Sequence, residues 1–312
     1  MQSPPAGLRL RPLRVTELID TVFSLYRQNF WLFLAVIALV QVPYQVIADL
    51  LGLTAPSRNL HPGAGKALTS AQLHTLLVAL VGLLVIAAVL TVINIAVVVP
   101  LQTAAFTKTV ADRFLSIPTS AGDCYRFAVR RWGALIVLGL IYLALAVAAL
   151  VVLGAVTTLL VLLLGRGGGV LAVLVALVGI VGAVMVYVRL VVATPSLVLE
   201  GLRPWEAIQR SWRLTSGHAG RVFGVLLSLV LVELLIGLAL GILVGVGVSA
   251  VGGASSAAGT VVGDVATLVV AVLVAPILAA GLTLLYFDLR VRKEAFDLEL
   301  LAQQISAGQG PA

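Results

Sequence analysis

Six apolar stretches, near residues 30–53, 72–107, 133–165, 169–199, 222–250 and 262–287, leave this chain little choice of fold. Each exceeds the ~18–20 residues that an α-helix needs to cross a ~30 Å hydrocarbon core. Hydrocarbon offers no water to backbone N–H and C=O groups, so such a run must pair them within itself, as a helix does. The expected fold is all-α: a polytopic membrane helix bundle of six transmembrane helices, forming one membrane domain over residues 1–312. Composition agrees, because 61% of the residues are hydrophobic and 11% charged, whereas a soluble domain carries about 45–50% apolar and about 25% charged residues. The second run has no charged residue between His74 and Lys108, so its helix must tilt or project beyond the bilayer. Gly165-Arg166-Gly167-Gly168-Gly169 separates the third and fourth runs and reads as a tight turn in a helical hairpin. The first run is long and follows an amphipathic segment, which marks it as a span rather than a cleavable signal.

Basic residues set the expected orientation. Arg9, Arg11, Arg14 and Arg27 precede the first span; Lys108, Arg113, Arg126, Arg130 and Arg131 lie between the second and third. Arg203, Arg210, Arg213 and Arg221 lie between the fourth and fifth, and Arg290, Arg292 and Lys293 follow the sixth. With Arg189 near the inner end of span 4, this leaves Arg58, Lys66 and Arg166 on the other side. The positive-inside rule then places both termini and the two large loops in the cytoplasm. The net charge of +7 sits beside apolar spans, where topology and anionic lipid headgroups explain it better than nucleic acid does. A single cysteine, Cys124, excludes an intramolecular disulfide framework and a multi-cysteine metal site.

A repeat runs through these spans. Before each odd-numbered span lies a segment expected to form an interfacial amphipathic helix, at about 16–29, 120–132 and 204–214, with an arginine-rich face and aromatics at the polar boundary. In the first, after Thr16 as N-cap, Leu18, Ile19, Val22, Phe23 and Tyr26 share a face. In the second, after Ser120 as cap, Cys124, Ala128 and Trp132 align. In the third, Pro204 suits the first turn, Trp205, Ile208 and Trp212 align, and Glu206 and Arg210 are spaced as an i,i+4 pair. Arg27, Arg130 and Arg213 are the matching basic positions. Pro-x3-Ala-x2-Thr-x4-Asp also recurs, as Pro100, Ala104, Thr107 and Asp112 in span 2 and as Pro276, Ala280, Thr283 and Asp288 in span 6. Span 4 departs from that spacing, with Pro195 and Glu200. The tail, about 289–312, carries one more amphipathic stretch through Phe296, Leu300 and Leu301.

Three blocks carry a family resemblance: Leu10-Arg11-Pro12-Leu13 through Glu17-Leu18-Ile19-Asp20 to Leu25-Tyr26-Arg27; Ala193-Thr194-Pro195-Ser196-Leu197-Val198-Leu199-Glu200-Gly201 running into Ala207 to Thr215; and Tyr286-Phe287-Asp288-Leu289-Arg290-Val291-Arg292-Lys293-Glu294. Together they resemble the glycerophosphoryl diester phosphodiesterase membrane-domain family of bacterial multi-pass proteins. The resemblance implies a bacterial plasma membrane location but no activity, because the family takes its name from fusions to a soluble phosphodiesterase. Such an enzyme needs acidic metal ligands and a histidine in one soluble pocket. Here His61 and His74 are expected outside and His218 inside, with no acidic cluster beside them.

Other chemistry fails in the same way. The chain has no His-Glu-x-x-His, Gly-x-Ser-x-Gly or Cys-x-x-Cys motif. Gly63-Ala64-Gly65-Lys66 lacks the Ser/Thr and the first glycine of a phosphate loop. Neither an enzyme activity nor a cofactor is expected. One polar exception stands inside a span. Glu233 lies about 18 Å past Arg221 at ~1.5 Å per residue, at a depth where a carboxylate is costly and faces protein or water. Gly237, Gly241 and Gly245 extend its face as a track suited to close helix approach, and Arg189 and Asn94 are candidate partners at similar depth. The leading functional expectation is a non-enzymatic protein that organises anionic lipids or a protein partner at the cytoplasmic face. The alternative is a transporter or channel built on Glu233 and Arg189.

Overall fold

The computed structural model describes residues 13–53, 70–251, 253 and 257–295. Arg9, Arg11, Arg58, His61, the Gly63 to Lys66 stretch and the tail through Phe296, Leu300 and Leu301 lie outside the described residues. Within them every regular element is helical: α1 (Val15–Gln28), α2 (Phe30–Leu53), α3 (Ser70–Ile93), a π-helical turn (Asn94–Val98), α4 (Val99–Phe114), α5 (Ala121–Leu190), α6 (Ala193–Glu200), α7 (Pro204–Thr215), α8 (Ala219–Ala250) and α9 (Ala257–Glu294). Among the described residues six segments are long and apolar enough to cross a membrane: Phe30–Leu51, Leu77–Phe114, Ala121–Gly165, Gly168–Glu200, Ala219–Ala250 and Ala258–Glu294. That count fits a multi-pass membrane protein. α5 holds the third and most of the fourth, folded back on each other at Gly165, whose φ of 55° and ψ of −131° break the helix at a conformation open to glycine.

Helix starts follow from side chains that satisfy orphan amides. α1 begins after Arg14 rather than at Thr16, because the Glu17 carboxylate reaches back to the Arg14 N–H at 2.8 Å. α7 repeats the device: Glu206 accepts from the Arg203 N–H at 3.0 Å, and Pro204 opens the first turn. Spent on its cap, Glu206 is not the partner of Arg210, which pairs elsewhere. Ser120 caps α5 as expected, accepting from the Asp123 N–H at 3.3 Å. Residues 121–132, however, do not form a separate helix. They run without a break into the third span, since Gly133 alone does not interrupt a helix whose neighbours favour it.

The tightest packing lies at the end where the termini of the spans meet. Half of the most apolar window of α9 is buried, against 6–17% in the other five spans, so α9 is the central post of the bundle. α1 lays Leu18, Val22 and Leu25 on this end. On α7 the buried residues are Ala207, Ile208, Ser211, Leu214 and Thr215. Trp205 and Trp212 stand outside that face, 63% and 48% exposed. Ile208 is therefore the one buried member of the expected Trp205, Ile208, Trp212 stripe; small residues bring the helix backbone close, and the bulky indoles are displaced to its edge. Away from this end, α3 and the distal arms of α5 present their leucines and valines outward, as helices do whose partner is lipid.

Each even-numbered span holds a proline: spans 2 and 4 are interrupted beside it, whereas α9 continues unbroken through Pro276, and an aromatic donor lies near all three. Pro100 has no N–H for the Ala96 carbonyl; the chain bulges there into the π-helical turn, and the Trp132 indole N–H donates to Ala96 at 3.0 Å. Before Pro195 the helix opens at Val191 and Val192, and the Tyr142 hydroxyl donates to the Leu190 carbonyl at 2.9 Å. Before Pro276 the Tyr26 hydroxyl donates to the Leu273 carbonyl at 3.1 Å. Trp132 thus supplies a donor to the carbonyl that Pro100 leaves open, as hydrocarbon requires, while Tyr142 and Tyr26 bond carbonyls one residue away from Val191 and Val272, the ones that Pro195 and Pro276 leave open. Pro100, Ala104, Thr107 and Asp112 are all buried, and so are Pro276, Ala280, Thr283 and Asp288.

Candidate functional site

At the level of these breaks the bundle encloses a half-open chamber of about 1000 Å³. α4, both arms of α5, α6, α8 and α9 contribute to its wall. Most of the lining is apolar. Its polar groups include Gln102 and Thr103 on α4, Tyr142 and Tyr187 on the two arms of α5, and Glu233 on α8. Among the described lining residues Glu233 is the only charged one. Val99, Leu145, Val186 and Tyr187 line the chamber and are 43–57% exposed, so it is not a sealed core void. Its volume stands at the upper end of the ~300–1,000 Å³ usual for small-molecule sites.

The expected partners of Glu233 are not there. Arg189 turns away from the chamber: its Nη1 lies 3.4 Å from the Ser216 hydroxyl and its guanidinium sits 5.5 Å from the centre of the Trp212 ring. Its carbonyl accepts from Ser211 Oγ at 2.7 Å. Only a helix running straight to Glu200 would bring Arg189 to the depth of Glu233. The opening at Val191 and Val192 interrupts that helix and brings Arg189 against α7. Asn94 is half-buried at the start of the π-helical turn and does not line the chamber. The glycine track also fails as a packing face: a Cβ placed on Gly237, Gly241 or Gly245 would meet nothing within 4 Å. A four-residue step drifts around a 3.6-residue helix, so the track leaves the side that α8 turns to α9, where Val222, Val225 and Leu229 are buried. The close approach occurs instead at Gly281 of α9, where an added Cβ would collide with the Leu229 side chain.

A second constellation, spread over four segments in the sequence, gathers at the arginine-rich end. Arg210 of α7 lies between two carboxylates, bonding Glu200 at 2.8 and 2.9 Å and gripping Glu294 with both terminal nitrogens. The Glu294 hydrogen bonds, aided by Glu200, hold the Arg210 guanidinium above its ordinary pKa against the opposing effect of burial. Tyr286 donates to Glu200 at 2.6 Å, and Lys293 donates to the Arg213 carbonyl at 2.6 Å. Beside this cluster the fully buried Asp288 carboxylate accepts from Arg221 and Arg292 at 3.0 Å each and from the Leu13 N–H at 2.8 Å. Asp112, 7% exposed, takes Lys108 at 2.6 Å. The acids at this end of spans 2, 4 and 6 are thus all neutralised within the bundle, and α1, α7, α8 and α9 are tied together through two of them.

The remaining expected interfacial groups divide. Arg27, Arg130, Arg213, Trp205 and Trp212 are exposed, while Trp132, 36% exposed, commits its N–H to Ala96 inside the bundle. Among the described residues no group of three or more His, Cys, Asp or Glu side chains is placed to hold a metal ion. Reading for motifs missed the chamber because its walls are ordinary span residues. The usable signal was the lone polar groups Gln102, Tyr142 and Tyr187 within apolar runs, each of which ends on the wall. No family model, curated protein or solved structure matches this chain.

Proposed function

We propose that this chain is a non-enzymatic multi-pass membrane protein, with cytoplasmic termini in a bacterial plasma membrane, that takes up an amphipathic molecule in the chamber at Glu233 and carries it within or across the bilayer. Membership of the glycerophosphoryl diester phosphodiesterase membrane-domain family, on the three quoted blocks, belongs to the same proposal and brings no activity with it. The chamber carries the reading. An apolar cavity with a few polar groups and one acid matches a ligand with an apolar body and a polar head, and a bundle serving only as a scaffold has no need of the void. The exposed Trp205, Trp212, Arg130 and Arg213 support a second role, attachment of this end to anionic headgroups or to a partner protein.

The test uses purified protein in phosphatidylcholine nanodiscs with radiolabelled dodecylamine, dodecanol and dodecanoate, empty nanodiscs subtracted. At least one probe should bind at one equivalent and be lost in Ala183→Trp, which fills the chamber. The reading fails if no probe binds above the Ala183→Trp level.

A further inference from the structure

We infer that the ligand of the chamber is an ammonium-headed amphiphile, with Glu233 as the counter-ion of its head. The inference rests on the chamber reading and specifies its substrate class. Among the described residues Glu233 is the only charged lining group, no hydrogen bond or ion pair engages it, and its two candidate partners are placed elsewhere. The contrast with the acids of the arginine-rich end is informative. Asp112, Glu200, Asp288 and Glu294 each have a Lys or Arg within 3.2 Å. These four acids are thus paired with cations, whereas Glu233 faces a void.

An uncompensated carboxylate in apolar surroundings favours whatever brings it a cation and hydrogen bonds. An ammonium supplies both, with three donors on a compact head. Gln102 and Thr103, on the α4 wall of the same chamber, offer neutral polar contacts, and the apolar remainder of the wall suits a hydrocarbon body. A carboxylate or phosphate head finds the opposite environment, because no described Arg or Lys lines the chamber. The half-open side, with Leu145, Val186 and Tyr187 exposed beside it, admits such a molecule from the bilayer.

The dodecyl series in neutral phosphatidylcholine nanodiscs decides the matter, because its three members share one chain and differ in the head. Dodecylammonium should bind wild-type protein about tenfold to hundredfold more tightly than dodecanol, the range of one hydrogen-bonded charge pair, and dodecanoate should bind weakest. Glu233→Gln should remove that preference, so that dodecylammonium and dodecanol bind it alike; Glu233→Asp should retain part of it. Lysophosphatidylethanolamine, with the same ammonium on a phosphate-bearing lipid, assigns the source: tighter binding than dodecylamine points to a membrane lipid, weaker binding to a free amine. Equal binding of the three heads to wild-type protein overturns the inference while leaving the chamber reading intact, and so does a dodecylammonium preference that survives Glu233→Gln. Absence of binding by any probe overturns the chamber reading itself. Should both variants fail to fold, the order of the three heads on wild-type protein still supports or overturns the inference by itself.

Discussion

Trp132→Phe, made with and without Pro100→Ala, tests whether an aromatic donor mends the break at Pro100. In the wild-type chain the indole N–H is 3.0 Å from the Ala96 carbonyl, four residues before Pro100. Phenylalanine keeps most of the ring packing and removes the donor. The loss should be about 1–2 kcal/mol, between the ~0.6 kcal/mol average for hydrogen bonds inside membrane bundles and the ~1–3 kcal/mol for a buried group left without a partner. Alanine at position 100 restores an N–H to the i→i−4 ladder, so the carbonyl no longer depends on Trp132. In that background Trp132→Phe should cost no more than the lost indole packing, a few tenths of a kcal/mol. The cycle should therefore show a coupling of about 1 kcal/mol, above the ~0.3–0.5 kcal/mol scatter of independent sites. Equilibrium unfolding in bicelles, read by steric trapping, measures all four free energies. Equal cost of Trp132→Phe in both backgrounds would refute the reasoning.

The arginine-rich end and the glycine track make further predictions. Asp288→Ala leaves the Arg221 and Arg292 guanidinia and the Leu13 N–H without their shared acceptor; unfolding in bicelles should show a loss of about 3–5 kcal/mol, the usual penalty for breaking a buried ion pair from one side. Asp288→Asn, which still offers an oxygen to Leu13, should lose less, and equal losses would show that the backbone contact contributes nothing. Gly237→Ala and Gly241→Ala should leave stability within ~0.5 kcal/mol, as at surface sites, because an added Cβ meets open space; a larger loss of stability would mean that a second copy of the chain packs there.

How far the sequence could be read depended on the range of the interaction. Span positions depend on local apolar length, and all six expected runs coincide with segments long and apolar enough to cross a membrane. Ser120 as a cap, Pro204 in a first turn and the break at Gly165 are equally local, and they hold. Thr16 failed as a cap through competition within three residues: Glu17 reached Arg14 first. Arg189 and the glycine track failed for a geometric reason, since a helix is a straight ruler with fixed faces only until it bends or its register drifts. The bond from Tyr286 to Glu200 spans 86 residues of sequence and that from Arg221 to Asp288 spans 67, distances at which periodicity carries no signal. The chamber left only an indirect trace, the lone polar groups Gln102, Tyr142 and Tyr187 within apolar runs, because a void is a property of how helices diverge and no residue type encodes it.

Tyr142 joins the chamber to the arginine-rich end. Its ring lines the chamber while its hydroxyl holds the Leu190 carbonyl at 2.9 Å. Immediately beyond Leu190 the chain opens at Val191 and Val192 and resumes as α6, whose last residue, Glu200, is clasped by Arg210 and Tyr286. The opening at Val191 and Val192 is therefore stabilised at one end by a residue that a ligand would touch and at the other by the ion cluster. Tyr142→Phe removes the first hold without emptying the chamber wall. Hydrogen exchange at the amides of Val191 to Thr194 should quicken by about fivefold to tenfold, the equivalent of one lost hydrogen bond, while peptides from α7 should change little, because Ser211 still donates to the Arg189 carbonyl at 2.7 Å. Unchanged exchange at Val191 to Thr194 would show that the proline and the α7 contacts fix the break without help from the chamber, and would remove the physical link between an occupied chamber and the opposite end of α6.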